Sequence, residues 1–324
     1  IYFAAQGKKV AVELIQTRCE TGAGIAKELG FSEAVANGIF SVDEHFNGKG
    51  GPAGLNGEAI PIYSRIALVA QVADVFQMMG GKFAALKEVR ERQDTWFDPQ
   101  VVKAFEEVAE DAAFWETLNK DDILQTVIGL EPASKVIKLT EDLLDTIATA
   151  FSKIIDSKSP FTFGHSTRVA EFAVAIAKLD GMEPDRMRWL NRAALLHDIG
   201  KLGVSNAILD KPGSLTKEEY ELVKQHPRHT KDILSKISIF DELAVIAGAH
   251  HERLDGLGYP NGLKADDIAM ETRILTVADI YDALTAERPY REAMRNHKAF
   301  EILNGMRNGA IEGKYVDLLR KNVE

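Results

Sequence analysis

The period of the apolar residues constrains this chain most. Over 136–155, Val136, Leu139, Leu143, Ile147, Phe151 and Ile154 recur every three to four positions and draw one stripe along a helix. The segments "RVAEFAVAIAKL" (168–179) and "RILTVADIYDAL" (273–284) read the same way. No sustained two-residue alternation, the mark of a half-buried strand, is present. The expectation is an all-α chain whose helices bury their stripes against one another as a bundle. Loop signals interrupt it at 157–164 ("SKSPFTFG"), 210–215 ("DKPGSL") and 255–266 ("DGLGYPNGLKAD"). Thr216 followed by Glu219 has the pattern of a capping box opening the next helix.

An internal repeat adds a second constraint. The stretch "DEHFNGKGGPAGLNG" (43–57) holds five glycines and a proline. Alone, such a loop suggests a phosphate cradle of backbone N–H groups. Laid without a gap on 250–284, however, residues 42–76 give 12 identities in 35 positions, where average composition gives roughly two by chance. The pairs include Glu44/Glu252, Gly48/Gly256, Gly50/Gly258, Pro52/Pro260, Arg65/Arg273 and Asp74/Asp282. The loop therefore reads as one copy of a duplicated unit. The copies differ where chemistry would live. His250 and His251 face Val42 and Asp43, Tyr259 faces Gly51, and Asp279 faces Gln71. The second copy continues into "TAERPYREAMRNH" before Lys298, with Arg288 and Arg291, where the first has only "QMMGG" before Lys82. The expected organisation is a unit over 1–110 without the chemistry, a linker and connecting helix over 111–156, and a unit over 157–324 that keeps it. The connecting helix is read as a spacer that packs the two units together.

Composition bounds the function. At 324 residues the chain has room for two domains, and 45% hydrophobic with 27% charged residues is a soluble globular balance. No apolar run approaches the ~18 residues of a membrane helix, and the N-terminus lacks the pattern of a signal peptide. The first residue is Ile, consistent with a natural chain that begins further upstream. A single cysteine, Cys19, excludes an internal disulfide framework and fits a reducing compartment, so a cytoplasmic location is expected. The net charge of −10 argues against a nucleic-acid polymer as partner. It leaves room for a small phosphorylated ligand where metal or local basic residues supply positive charge.

Six of the eight histidines fall within 165–251, and five of them form a ligand pattern with two aspartates: His165, the pair His197-Asp198, His226, the pair His250-His251, and Asp279. Imidazole and carboxylate suit Fe, Mn or Zn, and a carboxylate can bridge two ions. Two metals about 3.5–4 Å apart can clamp a phosphoryl group and acidify a shared water. Each group falls on a different expected helix or helix end, as a bundle site requires. A single histidine on an apolar helix is ordinarily a core residue or a cap. The run "AALLHDIGKLG" says more, because a buried His-Asp pair is costly without compensation that a metal would provide. Adjacent histidines on a helix point about 100° apart and can serve different ions. His45, His229 and His297 are expected on the surface. Asp282 is expected to be structural, since the first copy keeps it as Asp74.

These motifs carry a family resemblance. "HDIGK" (197–201), "HP" (226–227), "HHE" (250–252), "GLGYP" (256–260) and "ADIYDALTAERPYR" (278–291) resemble, in order, the HD-GYP subgroup of HD-domain phosphohydrolases. The resemblance covers roughly 130–324, and the first 110 residues look like the C-terminal part of a degenerate second copy. It implies an all-α HD-domain fold and hydrolysis of the 3′–5′ phosphodiester of a cyclic dinucleotide, cyclic di-GMP or 3′3′-cyclic GMP–AMP. It implies that His165, His197, Asp198, His226, His250, His251 and Asp279 are metal ligands, with Asp198 bridging. Lys201 matches a lysine beside the substrate phosphate, and Tyr259, Arg288 and Arg291 match substrate contacts. Three-metal members resembling this chain carry a Glu where Phe161 stands. A binuclear site is therefore expected, holding Fe or Mn, with Zn, Ni, Mg and Ca also compatible. Thr230 stands where Gly is usual, and Arg291 replaces a frequent Lys. A homodimer is compatible with this reading, as is a first unit that packs on the catalytic one or mediates association. Two alternatives share the pattern: a sensor or scaffold with a slow site, and an HD phosphohydrolase acting on another nucleotide.

Overall fold

A computed structural model describes residues 2–120, 122–131, 138–159, 164–287, 293–307 and 309–324, with the side chains of 2–14 left aside. Among these residues all regular structure is helical, as the apolar period requires. Among the described residues, no helix is long and apolar enough to cross a membrane. The chain forms two compact units, Ile1–Lys138 and Leu139–Glu324.

The first unit contains α1 (Tyr2–Glu28), α2 (Glu33–Phe40), α3 (Ile62–Glu91), α4 (Pro99–Ala109), α5 (Ala112–Leu118) and α6 (Ile123–Gly129). Its core gathers Leu68, Val69, Val89, Phe97, Val102 and Trp115. α3 breaks at Gly80–Gly81, where Gly81 takes φ +72°, a left-handed conformation that side chains other than glycine rarely adopt.

The second unit contains α7 (Glu141–Ser157), α8 (His165–Leu179), α9 (Pro184–Leu196), α10 (Asn206–Leu209), α11 (Lys217–Val223), α12 (His226–Leu234), α13 (Asp241–Gly248), α14 (Met270–Thr285), α15 (Asn296–Met306) and α16 (Gly313–Val323). One core runs through it, with Leu190, Leu196, Leu243, Ile246, Ile274 and Leu275 essentially inaccessible. Each such side chain contributes about 1.5–3 kcal/mol of burial. The capping box forms as expected: Glu219 N–H donates to Thr216 Oγ1 at 3.2 Å, and Thr216 N–H to the Glu219 carboxylate at 2.7 Å.

The boundary differs from the expected one. The connecting helix belongs wholly to the second unit. It begins at Glu141 behind the Thr140 cap, and Val136 lies outside the described residues. Leu144, Ala148 and Ile155 of α7 enter the second core. Arg192 of α9, 1% exposed, donates to Asp145 Oδ1 at 2.5 Å and to the Glu141 carbonyl at 2.8 Å. A buried guanidinium needs such partners, and here they fasten α7 to α9. The long separation of these partners in sequence hides the pairing from a local reading.

The glycine-rich loops of the two units repeat one geometry. The Glu44 carboxylate accepts from Ala53 N–H (2.6 Å) and Gly54 N–H (2.9 Å), and Glu252 accepts from Asn261 N–H (2.6 Å) and Leu263 N–H (2.9 Å). A Cβ on Gly50 would stand 2.2 Å from His45 N, and one on Gly258 2.4 Å from Arg253 N, so both positions require glycine. Ser64 Oγ donates to the Gly38 carbonyl, and Thr272 Oγ1 to the Ile246 carbonyl. Arg65 pairs with Asp98 (2.5 Å) and Arg273 with Glu312 (3.1 Å). Glu252 thus spends both carboxylate oxygens on loop shape, and Glu44 does the same structural work through Oε1, its buried Oε2 having no hydrogen-bond partner among the described residues.

Candidate metal centre

Helix ends build the site. The apolar run Ala193–Leu196 is buried, and it carries His197 and Asp198 off the end of α9 into the core. His226 follows α11 and opens α12, and His250 follows α13. In all three, ring Nδ1 lies on the carbonyl three residues back: Ala194 (2.7 Å), Val223 (2.7 Å) and Ala247 (2.6 Å). Each ring thereby satisfies a carbonyl that a helix end leaves open, and its Nε2 lone pair is turned inward. His165, at the start of α8, is held differently, by Nδ1 on Asp282 Oδ2 at 2.7 Å. Asp282 also accepts two hydrogen bonds from Arg168, at 2.6 and 3.1 Å. Its structural role is therefore to orient His165.

The inward atoms fall into two groups around Asp198, which is 1% exposed. Oδ2 lies 3.5 Å from His165 Nε2 and 3.4 Å from His197 Nε2. Oδ1 lies 3.3 Å from His226 Nε2 and 3.8 Å from His250 Nε2. Asp279 of α14 completes the first group, its Oδ1 3.4 Å from His165 Nε2 and 3.8 Å from His197 Nε2. His251 completes the second, with a donor atom within 4.8 Å of those of His226 and His250. Two three-residue sets that could hold an ion thus flank one carboxylate. Among the described residues, His197 Nε2 and Asp198 Oδ1 are buried without a hydrogen-bond partner. Orphaned buried donors of this type, imidazole and carboxylate together, fit divalent transition ions.

Electrostatics agrees. Burial lowers the pKa values of His197 and His250, and it pushes His251 down to about 4, leaving neutral imidazoles. Burial opposes ionisation of Asp198 and Asp279, yet Lys201 and the surrounding histidines hold Asp198, and His165, His197 and His251 hold Asp279, well below the usual carboxylate range. Burial also opposes the charged form of His165, but hydrogen bonds to Asp198, Asp279 and Asp282 hold its pKa well above the ordinary value.

Lys201 Nζ sits 2.5 Å from Asp198 Oδ2, at the rim of the centre. Gly200 is required by close approach, since a Cβ there would stand 2.0 Å from the His226 carbonyl oxygen. Thr230, buried, donates from Oγ1 to the His197 carbonyl at 2.8 Å and accepts from Gly200 N–H at 3.0 Å. It ties the His-Asp turn to α12. The Tyr259 ring lies 4.8 Å from that of His251, with the Lys224 ammonium 5.4 Å from its centroid, and burial pushes its phenol well up. Nothing in the sequence singled out Lys224.

The structure brings His165, His197, Asp198, Lys201, His226, His250, His251, Tyr259 and Asp279 to one place. Arg288, Arg291 and Phe161 lie outside the described residues. Of the three histidines expected on the surface, His297 is exposed. His45 is half-buried and stacks on Trp96 at 4.1 Å. His229 is half-buried, with a buried Nδ1 that has no partner among the described residues. The His45 ring finds its cover on a segment distant in sequence, which a local reading misses.

The comparisons with known proteins follow the geometry. The HD domain family matches residues 6–101 and 149–314. The 3'3'-cGAMP-specific phosphodiesterase 3 of Vibrio cholerae is 53% identical over 316 residues, which is 97% of this chain and 68% of that protein. A crystal structure of a cyclic GMP-AMP specific phosphodiesterase of V. cholerae superposes with a TM-score of 0.66 at 50% identity, covering 97% of this chain and 73% of the other. A cyclic di-GMP phosphodiesterase response regulator of Xanthomonas campestris is 36% identical over 170 residues, 52% of this chain and 45% of that protein. With its His-Asp pair at the centre of two imidazole groups, the chain belongs to the HD-domain family, in its HD-GYP type.

Proposed function

We propose that this protein hydrolyses the 3′–5′ phosphodiester of a bacterial cyclic dinucleotide, cyclic di-GMP or 3′3′-cyclic GMP–AMP, to a linear dinucleotide. The observation that carries this reading is the division of the Asp198 carboxylate, one oxygen toward each of two histidine groups. The relatives' activities support the substrate class, and 53% identity to a 3'3'-cGAMP-specific enzyme favours the mixed ring. In this reading His165, His197 and Asp279 ligate one ion, His226, His250 and His251 a second, and Asp198 bridges. Two divalent ions, Fe or Mn, would supply charge neutralisation and a water acidified toward neutral pH. The residues do the rest. Lys201 offsets charge growing on the non-bridging phosphate oxygens. Tyr259 presents a ring face to a base. Arg288 and Arg291 provide paired donors to the second phosphate or to guanine. We further infer that the first unit is a degenerate copy of the second. The shared loop geometry and the paired Arg65–Asp98 and Arg273–Glu312 contacts support this.

The test pairs metal analysis with product identification. Purified protein is assayed on cyclic di-GMP and on 3′3′-cyclic GMP–AMP, and changing His197 and Asp198 to Ala should remove metal and turnover together. Tight binding without turnover by iron- or manganese-loaded protein, or activity surviving the double change, would overturn the assignment.

A further inference from the structure

The first unit carries an apolar groove of about 490 Å³ between α3, α4 and α5, lined by Ile66, Val69, Ala73, Val101, Phe105 and Trp115 among others. Ile66 is 49% exposed there, and Val108 at its edge is also 49% exposed. The second unit shows what such a groove holds. At an offset of 208 residues, Ile66, Val69, Ala70 and Ala73 correspond to Ile274, Val277, Ala278 and Tyr281 of α14, all of them buried. On α16 the counterparts of Val101 and Phe105, 214 residues on, are the buried Tyr315 and Leu319. These residues share a core with Val169, Phe172, Ala173 and Ile176 of α8, and Phe172 meets the Tyr281 ring edge-on at 4.9 Å. The match extends to charge. Asp74, at the lip of the groove, corresponds to Asp282, which holds Arg168 of α8.

We propose that this groove is the seat of an α8-type helix supplied by the protein's own polypeptide upstream of Ile1. The inference rests on the reading of the first unit as a second copy. The occupant presents apolar residues at i, i+3, i+4 and i+7, as α8 does at 169, 172, 173 and 176, and a basic residue just before them that pairs with Asp74. In the second unit α8 precedes α12 in the chain. The same offset of 208 places its counterpart about 30–45 residues before Ile1.

Ile66→Cys supplies a reporter on a half-exposed position. In the 1–324 chain the new thiol should react readily with a maleimide. In the natural chain extended upstream to include that segment, its labelling should slow at least tenfold, and Asp74→Arg should restore it. Equal labelling in the two chains overturns the proposal. The second arm uses a fluorescent peptide with the sequence of residues 164–181. It should bind the 1–324 chain saturably, and Ala73→Arg should weaken it at least tenfold. If the thiol is protected in the extended chain but the peptide fails to bind, the groove is covered by something unlike α8, which overturns the duplicated fit while leaving the phosphodiesterase reading intact.

Discussion

Asp282→Asn separates the two halves of the metal centre. Asp282 touches no other inward atom of the site, yet its Oδ2 lies 2.7 Å from His165 Nδ1. The charged acceptor fixes the His165 tautomer and strengthens Nε2 as a donor. Asparagine keeps the volume and one acceptor oxygen but removes the charge. Loss of such an outer partner typically costs 10–100-fold in metal affinity, about 1.4–2.7 kcal/mol. The second group offers an internal control, because His226 and His250 are oriented by the Val223 and Ala247 carbonyls, which the substitution leaves alone. Calorimetric titration of metal-stripped protein with Mn²⁺ should therefore show one site weakened by that factor and one unchanged. Arg168→Gln provides the complement: it removes the ion pair to Asp282 while sparing the bond to His165, and should leave both affinities within about threefold. Equal weakening of both sites, or no change in either, would refute the argument that ring orientation is set ligand by ligand.

Three further outcomes can be measured. Thr230→Val keeps shape but strands the His197 carbonyl and the Gly200 N–H, both buried; urea unfolding should show the second unit destabilised by about 2–4 kcal/mol, and a loss under ~0.5 kcal/mol would count against the tie. Gly200→Ala should remove turnover by displacing α12 and His226, since the new methyl would overlap the His226 carbonyl; retained activity would show that the turn yields. Burial raises the pKa of Asp145, but hydrogen bonds from Arg188 and Arg192 outweigh it and hold it below the usual carboxylate range. A lowered carboxyl stabilises the folded state fully above its unfolded pKa of about 3.9 and progressively less as pH falls toward its folded value. The gap in urea midpoint between the native chain and Asp145→Asn should therefore be largest at neutral pH and close below pH 4; a gap that widens on acidification would reverse the sign.

The cluster of candidate ligands was legible because metal chemistry restricts residue type more tightly than packing does. His-Asp at 197–198 and His-His at 250–251 leave few other uses for so many imidazoles in one segment. The all-α fold was legible from its apolar period. What the sequence withheld depends on long-range partners. The buried Arg192 claims Asp145 and Glu141 and so moves α7 into the second unit, although Arg192 lies 47 residues from Asp145. His45 finds cover on Trp96, and Thr230 acts through carbonyl and amide groups that every residue possesses. The Nδ1 contacts of His197, His226 and His250 were equally invisible, because they depend on where each helix stops.

Those stopping points have one more consequence. α9 ends beside His197, while α11 and α13 end three and two residues before His226 and His250, and the C-terminal end of a helix carries partial negative charge. These ends lie near the carboxylates of Asp198 and Asp279, with Lys201 at the rim. Negative charge thus gathers where the inward donor atoms converge, a setting that favours cations. A ligand bearing phosphates would meet this field unless cations offset it.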